Sequence, residues 1–153
     1  MKIAYIATYP PRECGIGTFT NNLFNSMLTH NEHEGFVVAL NDNDLTYNYP
    51  EEVKITIRQD YQEDYLKAVK YINLSGADVC VLEHEFGIFG CKSGVYILPL
   101  LHRLEIPFIV TLHTILKTTS YIEKAVLKEI CKMANKIVVM SHKAVEFLVD
   151  IYD

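Results

Sequence analysis

Four short stretches of this 153-residue chain hold side chains able to do chemistry. Glu83-His84-Glu85-Phe86-Gly87 sets two carboxylates around an imidazole. Such groups accept hydrogen bonds from hydroxyls, and the Phe ring can stack on a sugar face. Thr111-Leu112-His113-Thr114 closes an apolar run with a histidine placed to hydrogen-bond a reacting sugar or steady developing charge. Gly15-Ile16-Gly17-Thr18 is a glycine loop ahead of a helical repeat, with Thr18 placed as its cap. Glycines let backbone N–H groups approach a ligand, and a helix N-terminus adds partial positive charge. Together they suit a phosphate or a sugar hydroxyl. Ser141-His142 is the fourth and weakest stretch, and Ser141 reads as the N-cap of a final helix.

Each stretch also has a plainer reading. The glycine loop can be an ordinary turn, the Glu-His-Glu run a solvated loop with a structural Phe, and His113 a core histidine bonded to backbone. Two chemistries lack their pattern. The histidines and carboxylates match no standard zinc spacing, so no metal is assigned, and no Gly-x-Ser-x-Gly elbow supports a hydrolase. The glycines are also a poor dinucleotide fingerprint. Thr20 stands where a third glycine belongs, and Pro10-Pro11-Arg12-Glu13 separates the first glycine from the preceding strand, whereas the dinucleotide turn is tight.

The elements that must position these residues alternate along the chain. Lys2 to Thr8 is a short apolar run stopped by Pro10-Pro11 and predicts a strand. Phe19, Leu23 and Met27 repeat at helical spacing. Gly35 to Leu40 predicts a second strand, residues 41–50 a polar loop, and Val53 to Ile57 a third strand. Tyr61, Tyr65, Leu66, Val69 and Ile72 mark an amphipathic helix that Gly76 terminates. Asp78 to Leu82 is an apolar strand of the kind buried on both faces of a parallel sheet, with a loop over Glu83 to Ser93 and a helix over Tyr96 to Leu104. Pro107 to Leu112 and Lys136 to Met140 predict two more strands around a helix marked by Ile122, Val126, Ile130 and Met133, and Ala144 to Ile151 begins a last helix. His30, His33 and His102 read as surface or helix-packing residues.

This order predicts an α/β fold: a doubly wound, Rossmann-like parallel sheet of about six strands with helices on both faces, in one domain over residues 1–153. Ligands bind outside the carboxyl ends of such strands, which is where all four stretches fall. Half the residues are hydrophobic, and the formal net charge of −5 gives no basic footprint for nucleic acid. No Lys/Arg run marks a polybasic anchor and no apolar run is long enough to span a bilayer, so membrane contact is peripheral at most. The four cysteines form no C-x-x-C pair and read as free thiols in a reducing, cytoplasmic setting.

Taken in order, Tyr9-Pro10-Pro11-Arg12-Glu13-Cys14-Gly15-Ile16-Gly17-Thr18-Phe19, His84-Glu85-Phe86-Gly87-Ile88-Phe89, Leu112-His113-Thr114 and Ile137-Val138-Val139-Met140-Ser141 resemble the group 1 glycosyltransferases. The resemblance covers essentially the whole chain and implies a retaining enzyme of GT-B fold. In that family two Rossmann-like domains face each other. The first mostly holds the acceptor, the second mostly holds the nucleotide-sugar, and the family usually works without a bound metal. By resemblance, Gly15, Ile16, Gly17 and Thr18 approach the donor phosphates or sugar, and His113 lies near the transferred sugar. Arg12, Glu83, His84, Glu85 and Phe86 belong to the acceptor side. The implied donor is a UDP- or GDP-hexose, the acceptor a saccharide or other hydroxyl compound, and no further cofactor is implied. The resemblance leads to the expectation that the second domain is absent, that the chain is inactive alone, and that it exposes its interdomain face, through which a homodimer can form. Two other classes stay open from the residues. One is a nucleotide-dependent oxidoreductase or epimerase, and the other is a non-catalytic α/β binding module.

Overall fold

The computed structural model describes residues 1–29, 32–42 and 44–152, with backbone alone for 151–152. His30 lies outside the described residues. Six strands, β1 (Lys2–Ala7), β2 (Glu34–Asn41), β3 (Val53–Arg58), β4 (Val79–His84), β5 (Phe108–Leu112) and β6 (Lys136–Val139), form one sheet in the order β3-β2-β1-β4-β5-β6. Every neighbouring pair is parallel. Five helices connect or follow them: α1 (Gly15–Thr29), α2 (Gln62–Leu74), α3 (Leu98–Arg103), α4 (Tyr121–Met133) and α5 (His142–Tyr152). Both faces are covered, as parallel strands require. Phe24 of α1, with Leu23 and Met27, packs on Ile3, Tyr5, Val37 and Ala39. On the opposite face α2, α3 and α4 bring Tyr65, Ile72, Leu100, Leu127 and Ile130 onto Ala4, Ile6, Val38, Cys80, Leu82 and Val110. The Rossmann-like α/β fold and the six predicted strands are therefore present.

Local rules account for several boundaries. Gly76 has a φ of +73° just past the end of α2, the left-handed position that glycine takes without steric cost. Ser120 and Glu123 close a reciprocal capping box at the start of α4. Ser141 Oγ accepts the Ala144 N–H at 3.2 Å, the capping role expected of it.

Three expectations are corrected. β4 runs on through Glu83 and His84, which pair in register with Thr111 and Leu112, so these two residues are buried strand and not loop. The segment beyond is not an open loop either, but two 3-10 segments, Phe86–Ile88 and Lys92–Ile97, and the helix expected from Tyr96 is only the six-residue α3. The segment is pinned at Gly90, whose N–H donates to Tyr65 Oη at 3.0 Å while Tyr65 donates to the Gln59 carbonyl at 2.8 Å. Last, Gly15 and Gly17 lie within the first turn of α1, and Thr18 is no cap. Its hydroxyl donates back to the Cys14 carbonyl at 3.4 Å, a bond within the helix turn.

Candidate functional site

The chain leaves β1 in one direction for β2 and β3, then returns to fill β4, β5 and β6 on the other side. The switch point therefore lies between β1 and β4, and the crevice beyond their carboxyl ends is the place where such sheets take ligands. Four pieces of backbone reach it: Thr8 to Cys14 after β1, the first turn of α1, Glu83 to Glu85 ending β4, and His113-Thr114 following β5.

Glu83 is the centre of the arrangement. It is fully buried, and a buried carboxyl group is tolerated only when its oxygens are partnered. Oε2 lies 2.7 Å from His113 Nε2, and Oε1 accepts the Thr111 hydroxyl at 3.3 Å. The His113 ring stands edge-on against Phe19 of α1, with centroids 4.9 Å apart, and its backbone N–H donates to the His84 carbonyl at 3.1 Å. Glu85 works in parallel. One oxygen accepts the Phe86 N–H at 3.0 Å, and the other accepts the Thr114 hydroxyl in a short contact. The charge of Glu83 is felt at Tyr5, whose phenol is pushed up to about 12, first by burial and then by that carboxylate.

His84 lies on the opposite face, which corrects its expected place on the acceptor side. It is fully buried, stacked on Phe89 at 5.7 Å and edge-on to Phe86 at 5.1 Å. Neither ring nitrogen has a partner. Burial, helped by the nearby His113, lowers its pKa to about 4, so the ring is neutral at ordinary pH. Phe86 is likewise a core residue, 8% exposed, and its ring is not free to stack on a sugar. Strand alternation is the physical reason: consecutive side chains point to opposite faces, so Glu83 and His84 cannot share one.

The glycine loop divides its work. A Cβ on Gly15 would meet nothing within 4 Å, so the start of α1 is open. A Cβ on Gly17 would touch the Arg12 carbonyl oxygen at 3.4 Å and the Tyr9 backbone at 3.5 Å, so Gly17 lets the loop close on the helix. Cys14 precedes the first turn of α1, a role the sequence did not announce. Burial pushes its thiol up, but hydrogen bonds from Thr8 and from the Gly17 and Ile16 backbone, with the Arg12 charge, outweigh this and hold it below the usual thiol value. Arg12 is engaged within the fold: it pairs with Asp42 at 2.6 Å and donates to the Leu40 carbonyl at 2.8 Å. Asp42 also accepts the Tyr47 hydroxyl at 3.1 Å.

A cavity of about 280 Å³ opens between the ends of β5 and β6, lined by His113, Thr114, Met140, Ser141, Lys143 and Phe147 among others. Larger grooves, of about 540, 730 and 530 Å³, lie along α2 and α3, away from these residues. Size here is a poor guide to chemistry: the acid–base pair beside the 730 Å³ groove, His102 with Glu129 at 3.3 Å, is open to solvent, whereas Glu83–His113 is buried at the strand ends. Among the described residues no group of three or more His, Cys, Asp or Glu is placed to hold a metal ion. No described helix is long and apolar enough to cross a membrane.

No protein-family model matches the sequence, and no curated protein matches it. Solved structures do match. An alpha-glucosyltransferase in complex with UDP and a 13-mer DNA containing a central A:G mismatch superposes with a TM-score of 0.64 at 18% identity, over 93% of this chain. An alpha-glucosyltransferase in complex with UDP-glucose and DNA containing an abasic site gives 0.62 at 19%, over 92%. The chain spans 37% and 36% of these two neighbours. At such identity the likeness establishes the fold alone: the chain shares its Rossmann-like α/β architecture with about a third of each neighbour.

Proposed function

We propose that this chain supplies the acceptor-side wall of a retaining glycosyltransferase that moves a hexosyl group from a nucleotide-sugar to a saccharide or other hydroxyl acceptor. One observation carries the reading. The Glu83–His113 and Glu85–Thr114 pairs sit side by side where β4 and β5 end, with Phe19 of α1 against the His113 ring, on a sheet whose fold neighbours include UDP-bound glucosyltransferases. In this reading the open backbone at Gly15 approaches the donor, His113 faces the transferred sugar, and Glu85 with Thr114 borders the acceptor. Arg12 acts one step back by holding the end of β2 against the loop. His84 and Phe86 support the wall from behind and touch no ligand.

A single wall leaves a nucleotide-sugar largely solvated, so transfer takes a second α/β domain. Ile137, Val138, Met140, Val145 and Val149 are exposed along the edge strand β6, the turn after it and α5, and Met140 also lines the cavity beside His113, so this edge of the sheet is where that domain would close. The dinucleotide alternative is disfavoured by Asp42. The acidic residue that would hold a ribose is already paired with Arg12 and Tyr47.

Calorimetric titration of the chain with UDP, GDP, their hexose conjugates and NAD(H) tests the reading. Uridine or guanosine diphosphates should bind with a dissociation constant on the order of 1 mM, NAD(H) not at all, and no sugar should be released. Binding of NAD(H) in preference to the diphosphates, or turnover by the chain alone, contradicts it.

A further inference from the structure

The Glu83–His113 pair fixes more than the place of the ring. Both oxygens of Glu83 face hydrogen-bonding side chains, Thr111 at Oε1 and His113 at Oε2. A carboxylate only accepts, so opposite an ionised Glu83 the proton of the imidazole resides on Nε2. The other ring nitrogen has no such claim on it. Among the described residues the buried side-chain atoms lacking a partner are His33 Nδ1, Gln59 Oε1 and both His84 nitrogens. Nδ1 of His113 makes no hydrogen bond and is not one of them. It is the ring atom left open, on a side chain 15% exposed that lines the cavity between β5 and β6.

We propose that Glu83 is a positioning residue for His113: it accepts the Nε2–H, holds the ring in the Nε2–H tautomer, and leaves Nδ1 open toward the cavity between β5 and β6 as a hydrogen-bond acceptor. Phe19 blocks rotation of the ring from the α1 side. Thr111 keeps the carboxylate from turning away. The ligand group that meets Nδ1 is therefore a donor, and, resting on the glycosyltransferase reading, that group is a hydroxyl of the hexose. His113 then receives a sugar O–H and does not offer an N–H to developing negative charge. Second-layer partners commonly set a histidine's tautomer in this way.

The test is a long-range proton–nitrogen NMR spectrum of the histidine-labelled chain at neutral pH, with His113→Gln used to assign the resonances. The expected wild-type pattern is a protonated Nε2, a bare Nδ1 and an Nε2 proton protected from exchange. Glu83→Gln keeps the shape and removes the charge, and should speed exchange of that proton about tenfold. Glu83→Leu should abolish the protected signal; if it does not fold, the Gln variant decides. A wild-type Nδ1–H tautomer, or a His113 spectrum unchanged by Glu83→Gln, overturns the proposal. A parallel titration with UDP-glucose separates the two claims. The Nε2–H signature without nucleotide-sugar binding keeps the positioning role and removes the sugar. Binding without the signature does the reverse.

Discussion

His84 ends β4 and His113 follows the neighbouring β5, tied together by the His113 N–H donating to the His84 carbonyl at 3.1 Å, yet their side chains have opposite surroundings. On the α1 face, His113 is held by a buried carboxylate, an aromatic edge and a crevice. On the other face, His84 is sealed between Phe86 and Phe89 with both nitrogens bare. The first region keeps polarity inside the protein by pairing it. The second tolerates polarity only by keeping the ring neutral. An unpartnered imidazole contributes shape and apolar contact at a desolvation cost, whereas a paired one contributes orientation. Only the first arrangement offers a ligand anything to bind.

Breaking the floor beneath His84 should have the largest effect. A Cβ at Gly90 would lie 1.9 Å from the Gln59 carbonyl oxygen, so Gly90→Ala must displace the stretch from Phe86 to Phe89 that precedes it. Urea unfolding should record a loss of about 4 kcal/mol. Acid should come next. The folded pKa of His84, about 4, lies below the unfolded value near 6.5, so the unfolded chain binds the extra proton. The buried neutral ring therefore brings no acid penalty above pH 6.5, destabilises the fold increasingly as the pH drops through that window, and the loss levels off below about 4. The change should be about 3 kcal/mol, read as the difference between the pH–stability curves of wild type and His84→Leu. His113→Leu strips Glu83 of its closest partner and leaves Thr111 alone, which should cost about 2 kcal/mol in the same assay. The smallest effect carries the opposite sign. His84→Leu removes two unsatisfied buried nitrogens and should stabilise by about 1 kcal/mol. A destabilised His84→Leu would mean that the nitrogens have partners after all.

The contrast between the two faces also marks how far the sequence can be read. The apolar runs ending near Ala7, Leu40, Leu82 and Leu112 placed the strands, and their alternation with helical repeats placed the fold, because burial on both faces leaves an uninterrupted hydrophobic signature. Gly76 and Ser141 ended and began helices by local chemistry that needs no tertiary context. Glu83-His84 misled for the opposite reason. Polar letters after an apolar run resemble a loop, and the partner that lets Glu83 stay buried is His113, thirty residues away. That His113 would meet α1 was legible as far as the Phe19–His113 ring contact, since the carboxyl ends of parallel strands share one rim. The split of Glu83, His84, Glu85 and Phe86 between two faces was not, because it depends on where β4 stops. Cys14 just before α1 was hidden too, as its hydrogen bonds come from Thr8 and from the Ile16 and Gly17 backbone of the first helical turn.

The measurement that reaches the centre of the account is a map of backbone amide shifts on addition of UDP-glucose. The account predicts that the perturbed residues cluster at Gly15, Gly17, Glu85, His113 and Thr114, with His84 and the 3-10 floor nearly silent. Perturbation centred instead on the groove of Lys2, Lys67, Lys70 and Tyr71 would contradict it, as would a spectrum that does not move.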